Sequence, residues 1–311
     1  MNYVLRRLVA TLPVMGVVAV IVFFLIHLSP GDPAALIAGD TASEGDVARL
    51  RASLGLDQPL WTQFSLWIGS LARGDLGTSI FTRVPVTELL AQRLEPTLSI
   101  AVITTVLSLV VSIPLGVLAA HRVGTWIDRL VMLFAVLAFS IPGFLVGYLL
   151  IYGFAIEAQW LPVQGFVGLS EGVWPWLRSL ILPCVNLALV YIALLTRMTR
   201  ATLLEVLHED YIRTARAKGL GVLPVLLHAL RNAAVPIATT VGTGIALLIG
   251  GVVVTETVFA IPGIGRLVVD AVQRHDYPVI QSVLLLSAAA YVLINLMVDL
   301  SYRLFDPRIR Y

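Results

Sequence analysis

A single cysteine, a single lysine and almost no charge inside its apolar runs set the first limits on this 311-residue chain. The thiol, Cys184, follows Pro183 within an apolar segment, so it forms no intrachain disulfide and reads as a small packed residue. The lysine, Lys218, is followed by Gly219, so the chain cannot supply a Gly-Lys-Ser/Thr loop for nucleotide phosphates. Metal-site spacing is missing too: there is no His-Glu-x-x-His pair, and His208, Glu209 and Asp210 are too compact to chelate one ion from a helix. A solvated helix face accounts for that triplet. Ion-coupled transport needs ionisable or coordinating groups near the bilayer midplane, yet the apolar cores hold only Asn186 and Asn295 as strong polar groups, with His27 and Asp299 at helix ends. No paired catalytic groups lie within the segments, which excludes an intramembrane enzyme. Nor is there a basic tail for nucleic acid, and the 20 arginines beside one lysine reflect base composition.

What the chain has is apolar length. Hydrophobic residues make up 58% and charged residues 13%, with a mean hydropathy of +0.92, values that mark an integral membrane protein. Six apolar stretches run Leu8 to Leu28, Thr97 to Ala120, Leu130 to Ile156, Leu180 to Thr196, Ala233 to Val254 and Gln281 to Leu300. Each suits a helix crossing a hydrocarbon core of roughly 30 Å, and unbroken runs of this length do not fit barrel strands. The fold class is all-α. Arg6 and Arg7 precede the first run as they would in a signal peptide, but the run is about twice a signal core in length and reads as an uncleaved helix. With the N-terminus inside, the inner segments hold 13 of the 21 Lys and Arg, so both termini are expected to be cytoplasmic.

Two regions follow: residues 1–96, a first helix plus an extracytoplasmic cap, and residues 97–311, a five-helix core with a cytoplasmic loop at about 197–232. The cap is rich in turn formers at Pro30, Gly31, Pro33, Gly55, Pro59, Gly74, Gly77 and Pro85. Within it Ser43 and Asp46 form an N-cap pair, Val47, Leu50 and Leu54 a helical stripe, and Gly55 a stop. Trp61, Phe64, Trp67, Ile68 and Leu71 repeat at helical spacing and seat a helix at the bilayer interface. Ser140, Ile141, Pro142, Gly143 and Phe144 break the third stretch, and the kink either faces a translocation path or packs within the chain. Gly242, Gly244, Gly250 and Gly251 let another helix approach the fifth stretch, in a subunit interface, a pore lining or this chain's own packing.

The inner loop is the most patterned part. From Arg200 to Lys218, Leu204, Leu207, Tyr211 and Ala215 form a stripe, Glu209 and Arg213 are spaced to pair, Gly219-Leu220-Gly221 stops the helix, and Pro224 starts another. Such a hairpin either lies on lipid or forms a rigid knob for a cleft in a cytoplasmic protein.

The stretch TARAKGLGVLPVLLHALRNAAVP resembles the Glu-Ala-Ala loop of ABC importer permeases of the dipeptide, oligopeptide and nickel branch. LIHLSPGDPAA, LGLDQPLW, RGDLGTSI, GGVVVTETVFAIPGIGRL and NLMVDLSYRLFDPRIRY extend the likeness, in order, over essentially the whole chain. The resemblance implies a type I, MetI-like permease fold in a bacterial cytoplasmic (inner) membrane. It implies as partners a sibling permease in a heterodimer, two ABC ATPase subunits or one fused ATPase, an extracytoplasmic solute-binding protein and the lipid bilayer, with no nucleic acid. ATP and Mg would be bound by the ATPases, leaving no cofactor in this chain. It places Tyr211, Arg213, Thr214, Ala215, Arg216, Lys218 and Gly219 in the ATPase-coupling loop, and leaves Ser140, Pro142, Gly143, Gly242, Gly244, Gly250 and Gly251 as candidates for the path or a helix interface. Arg213 stands where the family's loop opens on glutamate, and residues 220–227 are uncharged, so individual salt bridges do not transfer. The implied substrates are di- or oligopeptides, the alternatives being nickel complexes, haem, glutathione or opines, or an autonomous channel.

Overall fold

The computed structural model describes residues 3–28, 32–38 and 42–305. Pro30 and Gly31 of the cap, and residues 306–311 at the C-terminal end, lie outside the described residues. Among the described residues twelve α-helices follow in order: α1 (Tyr3–Leu28), α2 (Pro33–Ala38), α3 (Glu44–Ser53), α4 (Leu60–Ala72), α5 (Val86–His121), α6 (Trp126–Ser140), α7 (Gly143–Leu150), α8 (Val173–Leu207), α9 (Asp210–Ala217), α10 (Val222–Val258), α11 (Ile264–Gln273) and α12 (Tyr277–Phe305). Among the described residues the only β pairing is an isolated bridge, Thr78 to Pro85.

Among the described residues five helices are long and apolar enough to cross a membrane, and α6 with the helical stretch Gly143–Glu157, bent by 101° at the break between them, makes a sixth when the pair is counted as one span. Helices run past the apolar runs: α5 begins at Val86 and α10 at Val222, each eleven residues before the run read from hydropathy. A helix of 36 residues measures about 54 Å against a core of roughly 30 Å, so part of α5 projects beyond the hydrocarbon, where polar residues are tolerated.

Two compact units emerge, Met1–Glu95 with Arg266–Val292, and Pro96–Gly265 with Leu293–Tyr311. In the first, Ser43 and Asp46 close a full capping box on α3, and Gly55 takes the positive φ of 67° that ends it. Phe23 on α1 meets Phe64 and Trp67 on α4 at ring-centroid distances of 5.1 and 5.7 Å, and His27 shares a 3.2 Å hydrogen bond with Gln63. Those aromatics therefore hold α4 to α1 as well as facing outward. Asp276, 4% exposed, accepts the Ser79 hydroxyl at 2.5 Å and the Ile80 N–H at 3.1 Å, which fixes the turn before α5.

In the second unit α8 is the central rod, with 72% of its apolar window enclosed by protein. Leu180, Cys184, Leu187, Tyr191 and Leu195, buried at three- and four-residue spacing, pack with Leu248 and Val252 of α10. Lipid removes the hydrophobic drive between helices, so close approach through small residues must supply the attraction. Gly244 lies against the Tyr191 ring and Gly251 against Leu187, while the Tyr191 hydroxyl donates to the Val241 carbonyl at 2.6 Å.

Candidate functional site

The inner connection differs in phase from the sequence reading. It is not one helix from Arg200 to Lys218: α8 ends at Leu207, and α9 starts afresh at Asp210. His208 and Glu209 are the break, so the His208-Glu209-Asp210 triplet is a junction and not a helix face. The restart rotates the stripe. Ile212 is fully buried, against Leu203 of α8 and Val225 and Ala229 of α10, whereas Tyr211 is 39% exposed and its hydroxyl accepts the Asn232 amide at 2.6 Å. Glu209 serves as the backbone N-cap of α9, and Arg213 pairs with Asp210 at 3.5 Å in place of the expected Glu209. That pair is exposed and contributes little. A second helix does start beside Pro224, which lies in its first turn, but it is not confined to the loop: α10 runs unbroken from Val222 through Pro236 to Val258.

The stop is a Schellman motif. Gly219 has φ +83°, its N–H bonds the Arg216 carbonyl at 2.9 Å, and the Leu220 N–H bonds the Ala215 carbonyl at 3.2 Å. Space is open around Gly219, so it is the backbone angle alone that favours glycine there. The result is a short helix pinned by one apolar anchor, with Arg213, Thr214, Arg216, Lys218 and Gly219 exposed and Ala215 half-buried. Asp210 in the first turn and Arg216 in the last complement its dipole.

Close by in sequence is a pair the sequence reading missed. Arg200, ten residues before α9, presents Nε and Nη2 to the two carboxylate oxygens of Asp128 at 2.6 and 2.8 Å. Asp128 is 5% exposed and also accepts the Gly124 N–H at 3.0 Å. Seventy-two positions separate the partners, and no local spacing announces them.

The candidate path residues divide. Ser140 and Pro142 are exposed at the α6–α7 break, the Ser140 hydroxyl bonding back to the Val136 carbonyl, and Gly143 is half-buried. After α7 the chain continues as a π-helix, Ile151–Glu157, a form that recurs at functional positions. Gly143, Gly244 and Gly251 line a cavity of about 290 Å³ with Phe139, Phe144 and Asn186. Its wall is mainly apolar. The carbonyl oxygen of Asn186 is buried without a partner, and its amide nitrogen stands 3.5 Å from the Thr255 hydroxyl. Gly242 sits against Val298 of α12, and Gly250 faces open space.

The outer end of α10 explains a motif. Glu256, fully buried and just past the apolar run as read, accepts the Thr97 hydroxyl at 2.6 Å, while Thr97 accepts the Ile264 N–H at 2.8 Å. A Cβ at Gly263 would overlap the Glu256 carboxylate, and one at Gly265 would lie 2.7 Å from the Val253 Cα. The glycines after TETVFAIP thus make room for a buried acid, which Glu256 followed by two closely spaced glycines signals in the sequence.

Comparison with known proteins agrees with this arrangement. Residues 112–311 match the family described as binding-protein-dependent transport system inner membrane component, and residues 1–101 its N-terminal companion. A probable peptide ABC transporter permease of Sinorhizobium fredii is 56% identical over 310 residues, covering 99% of both chains. A putative peptide transport system permease of Brucella abortus is 45% identical, covering 99% of this chain and 98% of that one. The glutathione transport system permease GsiC of Escherichia coli is 43% identical over 312 residues, covering 100% of this chain and 99% of that one. Among solved structures, an inward-facing MetNI methionine ABC transporter superposes with a TM-score of 0.58 at 20% identity, over 71% of this chain and 97% of that one. The all-helical fold with its bent sixth span, and family matches over nearly its whole length, make this chain a member of the binding-protein-dependent transport system inner membrane components.

Proposed function

We propose that this chain forms one half of the membrane path of an ATP-driven ABC importer for peptides. Its partners are a sibling permease, two ATPase subunits or a fused one that bind ATP and Mg, and an extracytoplasmic binding protein. The observation that carries the reading is α9, a helix of eight residues pinned through Ile212, ended by a Schellman turn and presenting Arg213, Arg216 and Lys218 outward. An element that only rested on lipid would present its apolar face to the bilayer, but here that face is spent on α8 and α10. The chain has no nucleotide loop of its own, so the work of transport enters through a partner at this surface.

Coupling then works as a shift between two states. ATPase closure binds one arrangement of the two α9 helices better than the other, and that difference in affinity drives the spans from inward-facing to outward-facing. The cavity between α7, α8 and α10 is the path segment this chain contributes, its apolar wall passing varied side chains. Peptide substrates are supported by the names of the Sinorhizobium and Brucella relatives, and the Escherichia relative brings glutathione, itself a tripeptide, into the same chemical class.

The test is uptake by liposomes holding the complete complex, with labelled dipeptides and glutathione offered separately. ATP-dependent and binding-protein-dependent accumulation of either is the expected result. Equal uptake without nucleotide would overturn the importer reading in favour of an autonomous channel.

A further inference from the structure

We propose that Asp128 and Arg200 are positioning residues that carry the movement of α9 into the broken span. The inference rests on the reading of α9 as the ATPase-docking element and adds the route by which its displacement reaches the path.

Three observations converge. Arg200 and Leu203 lie one turn apart on α8, and Leu203 is part of the apolar seat of Ile212, so the seat of α9 and the ion pair occupy the same end of one rod. The contact is a fork: two guanidinium nitrogens meet two carboxylate oxygens at 2.6 and 2.8 Å, which fixes orientation as well as distance. The carboxylate is also tied to the turn before α6 by the Gly124 N–H. With 7% of the Asp128 side chain and 24% of the Arg200 side chain exposed, water screens the pair poorly, and separating it would leave a buried charge unpaired.

At its other end α6 reaches the non-helical pair Ile141–Pro142, beyond which α7 departs at 101°. A helix of 15 residues is a lever of about 22 Å. Clamped at its foot to α8, it must turn with α8. Held by apolar contacts alone, it would slide, because those contacts are not directional. The break at Ile141–Pro142 is therefore the joint that absorbs the turn, beside Gly143 and Phe144 of the cavity wall.

Liposomes holding the full transporter, with binding protein inside or outside as orientation requires, test this through peptide accumulated per ATP hydrolysed. Asp128→Asn and Arg200→Lys are compared with the exchanged pair, Asp128→Arg with Arg200→Asp, and co-purified ATPase is quantified for each. The single variants should keep their ATPase and its hydrolysis while uptake per ATP falls about fivefold or more, and the exchanged pair should recover part of the loss. Unchanged uptake per ATP in both single variants would overturn the proposal, as would loss of the ATPase from both, which would make the pair a support of the docking surface alone. A wild-type complex without any ATPase would instead count against the docking reading itself.

Discussion

Gly244 and Gly250, six residues apart on α10, meet opposite surroundings. A Cβ on Gly244 would run into the ring of Tyr191, which is buried and held by its hydroxyl bond to Val241, whereas a Cβ on Gly250 meets nothing within 4 Å. Gly244→Ala is therefore expected to destabilise the protein by about 1–3 kcal/mol through overpacking, and Gly250→Ala by less than about 0.5 kcal/mol. Thermal unfolding of the purified protein in detergent reads the difference, and equal shifts would show that the Tyr191 contact does not set the packing. In the sequence the four glycines of this helix were indistinguishable, because spacing shows which residues are small and not what stands opposite them. Glu256 was missed for a related reason: hydropathy ends the span at Val254, but a buried acid is acceptable beyond it when Thr97 supplies its hydrogen bond. Gly219 was legible, since a helix stop of this pattern needs a left-handed residue whatever surrounds it. There Gly219→Asn should keep coupled ATPase activity near wild type while Gly219→Val loses it, the branched side chain being poorly tolerated at φ +83°. Equal activity of the two variants would remove the backbone argument.

Among the elements, the six spans were readable from their apolar runs, and the third was correctly read as interrupted at Ser140–Phe144. What hydropathy did not supply was where helices stop. The first turns of α5 carry Glu88, Gln92 and Arg93, which are unwelcome in hydrocarbon but good helix formers in water. The break at His208–Glu209 is hidden for the opposite reason, since nothing there forbids a helix, and it is the seating of Ile212 that sets the phase of α9. In the cap, α3 depends on carboxylates. The Arg51 guanidinium holds the Asp32 carboxyl below its ordinary pKa, and the Ser43 hydroxyl, its backbone N–H and Arg49 do the same for Asp46. A carboxyl whose folded pKa is lowered adds stability above its unfolded pKa, about 3.9, and loses it as pH falls through the folded value. Hydrogen exchange of residues 44–53 should thus be unchanged from pH 7 to about 5 and accelerate, after correction for intrinsic rates, below about 4. Protection that persisted to pH 2 would show that these contacts do not hold α3.

At the scale of the molecule, the proposed function makes the chain one half of a machine whose power arrives from a partner. The missing nucleotide loop and the near absence of ionisable midplane groups were visible in composition, and they direct attention to the inner connection. The sequence could not show which atoms join that connection to the spans, because Asp128 and Arg200 meet only through the tertiary fold. The central claim is that α9 is where the ATPase engages. Ala217, exposed on the last turn of α9, offers a place for a benzophenone–maleimide cross-linker through Ala217→Cys, and the native Cys184, 1% exposed, is shielded from the reagent. Photolysis in native membranes that still accumulate peptide should join the chain covalently to an ATPase subunit, identified by mass spectrometry. Transport-competent membranes in which this position captures lipid and no ATPase would contradict the account.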